Sequence, residues 1–169
     1  MRFISIFIFS CLVLIFSSCK TAKIVTEDKV LLKLDSLPNG AKKLYLLKNK
    51  KLEISSLNGA LIYTIENNDS TDVIHYVYAI DQEQAAFDGG YREEIVFEIP
   101  KNSSDQNYSD AELQNTKMLF GRYCFCRGQT GLYKVNEGKL HVKTSKKEMR
   151  FELQFKINEV PQVITEIKY

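Results

Sequence analysis

Apolar and polar residues alternate along most of this chain with a period of two, the pattern of β-strands that bury one face. The segment RFELQFKI, residues 150–157, shows this most clearly. Shorter segments repeat it elsewhere. The alternating apolar positions are Val30, Leu32 and Leu34; Ile95, Phe97 and Ile99; Leu140 and Val142; and Phe151, Leu153, Phe155 and Ile157. The pattern predicts many short strands.

Turn residues separate these strands. Asn58-Gly59 lies between two strand-like runs, which is the strongest short-range signal for a β-hairpin. Pro38-Asn39-Gly40 ends the first strand. Many short strands joined by turns are typical of an antiparallel sandwich or a barrel. We therefore predict a mainly β fold, either an antiparallel β-sandwich or a small lipocalin-like barrel.

One segment departs from the period of two. The residues SDAE at 109–112 fit a capping box, in which Ser and Glu satisfy backbone N–H groups at the start of a helix. They predict one short helix over about residues 110–117. The polar segment that begins at Lys101 and the segment 81–91 are predicted to be loops. No change of composition divides residues 29–169, so a single β-rich domain is expected.

The first residues form a leader. The chain is almost wholly apolar from Phe3 to Phe16, a run shorter than the roughly 20 residues that span a bilayer. A basic residue, a short apolar run and small residues at its end are typical of a signal peptide. Ordinary secretory cleavage near Ser17-Ser18 is one interpretation.

The residues FSSCK at 16–20 resemble the lipobox of bacterial lipoproteins, although that family prefers Leu where this chain has Phe16. The resemblance implies that residues 1–18 are removed and that Cys19 is triacylated, with palmitate among its fatty acids. Several acyl chains hold a protein on a membrane without a transmembrane helix. Residues 19–28 would then be a lipidated tether.

The residues after Cys19 indicate which membrane would hold the lipid anchor. Lys20 is not the aspartate that commonly retains lipoproteins at an inner membrane, and no acidic run follows to resemble a surface-export signal. We therefore expect a lipid anchor on the periplasmic face of the outer membrane.

The net charge of the chain and its lack of a catalytic motif narrow the range of expected functions. With 23 Lys and Arg against 21 Asp and Glu, the chain lacks the strong basic excess typical of nucleic-acid binding. Its two histidines, His75 and His141, are not part of a catalytic motif. His75 is predicted to be hydrogen-bonded and partly buried, and His141 to face solvent. We expect no enzymatic activity and no cofactor.

Two groups of carboxylates could support acid–base chemistry or bind a cation. Glu94 and Glu98 alternate with apolar residues, so they are predicted to lie on the solvent face of their strand, with Glu93 beside them. Asp81, Glu83 and Asp88 lack the spacing of a calcium loop. Neither group is predicted to be a catalytic or metal site.

Cys124 and Cys126 are the cysteines that follow the leader and lipobox. If residues 118–126 form one strand, the two side chains share a face at a Cα separation of about 6.6 Å, near the upper limit for a disulfide. Three interpretations remain open. Buried free thiols that fill the core are favoured, ahead of a disulfide and of a soft-metal site completed by Met118 or a histidine.

Tyr76 and Tyr78 share a face of a predicted strand and could face a ligand such as a glycan. Packing in the core is the favoured interpretation. The function most consistent with the sequence is that of a non-enzymatic envelope lipoprotein that binds a partner protein or a small ligand. A metal-handling or redox protein that uses Cys124 and Cys126 is the alternative, and a glycan-binding module is a weaker one.

The lipobox resemblance predicts that Cys19→Ser leaves the precursor unacylated and moves the protein out of the membrane fraction, because the acylated sulfur is lost. Intact-mass spectrometry of the fractionated protein checks both effects, with Cys11→Ser as the matched control within the leader. Unchanged acylation in Cys19→Ser would contradict the assignment.

Overall fold

The computed structural model describes residues 29–37, 40–80, 90–101, 104–145 and 148–169. The predicted leader, the lipidation site Cys19 and the acidic group Asp81, Glu83 and Asp88 lie outside these ranges. The strands are β1 (Lys29–Leu37), β2 (Gly40–Leu47), β3 (Lys50–Leu57), β4 (Ala60–Asn67), β5 (Thr71–Ile80), β6 (Tyr91–Pro100), β7 (Asp105–Ser109), β8 (Leu119–Tyr123), β9 (Gly131–Lys134), β10 (Gly138–Thr144), β11 (Met149–Phe155) and β12 (Glu166–Lys168).

Two antiparallel sheets face each other. One has six strands in the order β1-β2-β5-β6-β8-β9, and the other has four in the order β12-β11-β10-β7. Over the described residues the strands do not close into a barrel, since β1 and β9 are the edges of the larger sheet. The β-sandwich prediction is confirmed, and the lipocalin-like barrel is wrong.

The main core lies between the two sheets. Phe97 of the larger sheet meets Phe151 of the smaller edge to face, with ring centroids 5.6 Å apart. Aromatic rings prefer this arrangement because their electron-rich faces attract the positive edges of neighbouring rings. The predicted inward positions on three strands are buried. They are Ile95, Phe97 and Ile99 on β6; Leu140 and Val142 on β10; and Phe151, Leu153 and Phe155 on β11.

The predicted helix is present as a 3₁₀ helix over Asp110–Thr116. The carboxylate of Glu112 accepts a hydrogen bond from the Ser109 N–H at 3.1 Å, as the capping box predicts. No helix in the described part of the chain is long and apolar enough to cross a membrane. Strand β7 lies in the segment after Lys101 that the sequence predicted as a loop, because its residues are nearly all polar.

A second layer covers the other face of the larger sheet. The hairpin of β3 and β4, turning at the predicted Asn58-Gly59, packs an apolar cluster onto that face. Strand β6 is therefore buried on both sides. The prediction that Glu94 and Glu98 face solvent is wrong, because alternation shows which residues share a face but not whether another layer covers it. The buried members of this cluster are Leu47, Leu52, Val73, Val96 and Leu119.

Polar contacts hold the hairpin on the sheet. Glu98 Oε1 accepts a hydrogen bond from the Leu52 N–H at 2.5 Å, and Lys117 Nζ donates to the Leu52 carbonyl at 2.6 Å. Lys117 and Glu98 also form an ion pair at 3.0 Å. Both backbone groups of a fully buried residue in β3 thus have charged partners, which the larger sheet and the end of the 3₁₀ helix supply.

We predict that Glu98→Ala lowers the free energy of unfolding by about 1–3 kcal/mol, because the buried Leu52 N–H loses its acceptor. The shift of the urea midpoint at constant m-value measures this. Glu66→Ala is the control within the same hairpin, since Glu66 pairs with Lys51 at an exposed site. Its effect should stay within about 0.5 kcal/mol. Equal effects of the two substitutions would contradict a special role for Glu98.

Candidate functional site

Glu94 is the centre of a polar cluster between the larger sheet and the hairpin. It lies on β6 and is 4% exposed. His75 of β5 and Tyr123 of β8 reach it from the adjacent strands, and Tyr63 of β4 reaches it from the hairpin. The favoured interpretation of His75 as a partly buried, hydrogen-bonded residue is confirmed.

Both carboxylate oxygens of Glu94 have partners. Oε1 accepts hydrogen bonds from the Tyr123 hydroxyl at 2.8 Å and from the Tyr63 hydroxyl at 3.2 Å. Oε2 lies 3.1 Å from His75 Nε2. A buried carboxylate is costly without such partners, so these contacts explain how Glu94 is accommodated under an apolar hairpin.

Gly121 provides the space for this arrangement. It pairs with Glu94 across β6 and β8. A Cβ at this position would lie 2.8 Å from Glu94 Cγ and 2.9 Å from Tyr123 Cε2, closer than carbon atoms normally approach. The absent side chain therefore lets the carboxylate and the tyrosine ring pack against the strand.

The protonation states follow from the surroundings. Burial by itself raises the pKa of the Glu94 carboxyl, but hydrogen bonds from His75 and Tyr123 and the charge of Arg92 outweigh it, so its pKa lies below 4.5. Burial and the neighbouring Glu94 raise the pKa of both Tyr63 and Tyr123. At neutral pH the cluster thus holds an ionised carboxylate with neutral hydroxyl donors.

The hairpin leaves part of the same sheet face uncovered. We call this part the basic face and define it by Lys29, Lys43, Tyr45, Val77 and Arg92, whose side chains are exposed or half-buried. Lys29 Nζ lies 3.9 Å from the centre of the Tyr45 ring. The guanidinium of Arg92 lies 4.1 Å from the centre of the Tyr123 ring, which joins the basic face to the Glu94 cluster.

The three cations of the basic face form no ion pair with another described residue. Four clefts of about 290–510 Å³ are lined by described residues, and none of the four includes a residue of the basic face. The basic face is therefore a sheet surface whose cations form no ion pairs with described residues and lie next to aromatic and apolar side chains.

Glu93 is buried on the opposite face of β6. Its carboxylate accepts hydrogen bonds from the Val163 N–H at 2.7 Å and the Ile164 N–H at 2.8 Å. These contacts attach the segment before β12 to the larger sheet. The Tyr91 hydroxyl donates a third hydrogen bond to Glu93. Nothing in this arrangement leaves the carboxylate free to act on a ligand.

The cysteines occupy a different position from the predicted one. Strand β8 ends at Tyr123, and the chain bends so that Cys124 and Cys126 form a disulfide with their Cα atoms 5.2 Å apart. Both are half-buried, while Phe125 between them is 84% exposed. The favoured interpretation of buried free thiols is wrong, because the strand does not continue into the core.

The disulfide also affects the interpretation of Cys124 and Cys126 as a soft-metal site. In this form neither sulfur is a thiolate, the state that binds metals. Met118, the suggested third ligand, is fully buried in the main core. Within the described ranges no group of three or more His, Cys, Asp or Glu side chains could hold a metal ion.

The disulfide contributes little to holding the fold together. A bridge across a sequence separation of 2 restricts the unfolded chain by about 1.5 kcal/mol, against about 3 kcal/mol for a 15-residue loop. The turn has its own hydrogen bonds, from the Thr130 hydroxyl to the Cys124 carbonyl at 2.6 Å and from the Gln129 N–H to the Cys126 carbonyl at 3.1 Å.

Tyr76 and Tyr78 face the main core, as the favoured interpretation predicted. Tyr76 is 8% exposed, and burial raises its pKa to about 12, with a smaller effect from Asp35. Tyr78 is half-buried, packs against the same core and meets Tyr91 edge to face at 6.4 Å. His141 pairs with Asp105 at 3.0 Å near solvent.

The Glu94 pKa predicts how stability depends on pH. Because the folded-state pKa lies below 4.5, the unfolded state takes up the proton first as pH falls. The contribution of Glu94 is complete above about pH 5 and is lost as pH falls through its folded-state pKa. We expect that in Glu94→Gln the free energy of unfolding, measured by urea unfolding, falls less steeply as the pH is lowered through this range. Glu152→Gln, on the exposed face of β11, should leave it unchanged, and equal slopes in all three proteins would contradict the assignment.

No protein-family model matches this chain, and searches of curated proteins and of solved structures gave no match. Its function must therefore be inferred from the chemistry of its own residues. Those residues form a β-sandwich-like fold with a buried Glu94 cluster, an adjoining basic face and a disulfide in an exposed turn.

Proposed function

We propose that this protein is a lipid-anchored protein of the bacterial envelope that binds an acidic segment of a partner protein through its basic face. The observation that carries the proposal is the charge of that face. Lys29, Lys43 and Arg92 surround Tyr45 and Val77, and no other described residue forms an ion pair with these cations. Aspartate and glutamate side chains complement such a surface.

The leader supports the envelope location. The lipobox resemblance at residues 16–20 implies an anchor at Cys19. Residues 19–28 reach at most roughly 35 Å when fully extended, so the domain would remain near the membrane surface. Lys29 begins β1 and is itself part of the basic face. The outer membrane, on its periplasmic side, is the location that Lys20 and the absence of a following acidic run favour.

The Glu94 cluster favours binding over catalysis. His75 and Glu94 are hydrogen-bonded to each other, and two tyrosine hydroxyls occupy the remaining carboxylate oxygen. A general base would need to reach a substrate proton, whereas these groups point to one another. Their role in the proposal is to keep the sheet surface rigid, because a rigid surface loses less entropy when a partner binds.

An open sheet surface favours a polypeptide over a small molecule. Small ligands usually bind in concave pockets that enclose most of their surface. The basic face instead presents side chains from neighbouring strands β1, β2, β5 and β6. An extended acidic segment can contact several of these cations at once.

Binding of a synthetic peptide rich in Glu and Asp to the acylated protein in detergent tests the proposal. Fluorescence anisotropy should show binding that weakens as salt is added, because charges at a surface are screened. The pair Lys43→Gln and Arg92→Gln should raise the Kd about three- to tenfold. The matched control, Lys139→Gln with Lys156→Gln, makes the same change of charge at exposed positions on and beside the smaller sheet.

Equal weakening by both pairs of substitutions would show nonspecific attraction and overturn the proposal. So would equal binding of a Gly and Ser peptide of the same length. If succinate saturates the face while the acidic peptide does not bind, the face takes a small anionic ligand and the partner-protein proposal is wrong.

A further inference from the structure

The turn between β8 and β9, residues 124–130, combines three features that the proposed function does not use. It begins with the Cys124–Cys126 disulfide. It carries Phe125 with 84% of its surface in solvent, and the exposed Arg127 follows directly. A surface disulfide beside an exposed aromatic ring and a cation offers both a reactive bond and a place for a polypeptide to bind.

The bond does not join two elements of the fold. Both cysteines belong to the same turn, and β8 and β9 remain paired through backbone contacts from Leu119↔Lys134 to Arg122↔Gly131. The hydrogen bonds of Thr130 and Gln129 close the turn independently. Opening the disulfide therefore leaves the sandwich and the turn with their other contacts.

The surroundings would stabilise an open form. The Thr130 hydroxyl lies 3.9 Å from Cys124 Sγ, so its single proton can turn from the Cys124 carbonyl to a thiolate at that sulfur when the bond opens. The exposed Arg127, next to Cys126 in the chain, adds positive charge to the turn, which favours the thiolate form of either cysteine. A sulfur that leaves as a stabilised thiolate leaves faster, so Cys124 is suited to be the leaving group and Cys126 the sulfur that is attacked.

We propose that Cys124–Cys126 is a thiol–disulfide exchange site that oxidises a pair of cysteine thiols in a polypeptide. This activity goes beyond the proposed binding function and does not depend on the basic face. The co-reactant is the reduced cysteine pair itself, and one disulfide oxidises one pair.

The exchange proceeds in two steps. A thiolate of the polypeptide attacks Cys126 Sγ, a new S–S bond forms, and the Cys124–Cys126 bond breaks with its electron pair going to Cys124. The second thiolate of the polypeptide then attacks its own first sulfur and releases Cys126 as a thiolate. The two cysteines of the protein take up the two protons that the polypeptide thiols lost. Two electrons and two protons are thus transferred.

Phe125 gives the site a preference for polypeptides. Phe125 lies between the two half-buried cysteines in the chain, and its exposed ring would contact apolar side chains that flank the attacking cysteine. A small dithiol has no such side chains. The rate with a peptide should depend on Phe125, and the rate with a small dithiol should not.

The test mixes the oxidised full-length protein, in detergent and without oxygen, with a reduced synthetic peptide that contains two cysteines flanked by apolar residues. Samples are quenched, alkylated with iodoacetamide and weighed by intact-mass spectrometry. The expected result is that Cys124 and Cys126 become alkylated as the peptide loses its free thiols. The rate constant for oxidation of the peptide by the protein should exceed that for oxidation of the same peptide by oxidised glutathione by about tenfold. The reason is that exchange depends on the access to the attacked sulfur and on the leaving sulfur.

Phe125→Ser should slow the reaction with the peptide several-fold and leave the reaction with dithiothreitol unchanged. Val163→Ser is the matched control, since Val163 is also exposed, at 56%, but lies outside the turn. If the rate with the peptide is the same in the wild type, Phe125→Ser and Val163→Ser, the role of Phe125 is wrong. It is also wrong if Phe125→Ser slows the reactions with peptide and with dithiothreitol equally.

If the disulfide only stabilises the fold, the experiment should give different results. If the protein stays oxidised in excess reduced peptide, the exchange proposal is wrong. Loss of the far-ultraviolet circular dichroism of the wild-type protein on reduction would also overturn it, because the bond would then be holding the fold. This second measurement needs no variant, so it stands even if Cys124→Ser with Cys126→Ser fails to fold.

Discussion

The structure depends on the burial of three carboxylates on one strand. Glu93, Glu94 and Glu98 of β6 are all removed from water, and an ionised group in that position is tolerated only when its oxygens are hydrogen-bonded. Each carboxylate takes its partners from a different neighbour. Glu93 binds the segment before β12, Glu94 binds β4, β5 and β8, and Glu98 binds β3 and the residue after the 3₁₀ helix. Strand β6 thereby connects all three layers.

This arrangement also shapes the surface that we propose for binding. The Glu94 carboxylate is hydrogen-bonded by His75 and the tyrosines, and the charge of the neighbouring Arg92 acts on it without an ion pair. Arg92 instead stacks on the Tyr123 ring. The contacts that stabilise the hairpin on the sheet thus lie directly beside the exposed cations of the basic face.

The disulfide lies outside this layered region. Stability differs across a protein, and turns can change state at little cost while the core stays intact. The turn that follows β8 meets this condition, because its strands remain paired without the bond. A reactive bond in such a place can open and close without disturbing the carboxylate contacts of β6.

The amino-acid sequence by itself determined the local structure. Period-two alternation predicted the core strands, Asn58-Gly59 predicted the hairpin turn, and the capping box predicted the helix, because each depends on residues close together in the chain. The tertiary structure alone decided that Glu94 and Glu98 are buried. Glu98 accepts its hydrogen bond from the N–H of Leu52, which lies 46 residues away in the chain. No local sequence pattern indicates which layer will cover a face of a strand. The disulfide was decided in the same way, since β8 ends where its neighbours β6 and β9 stop pairing with it, and only that bend brings Cys124 and Cys126 within bonding distance.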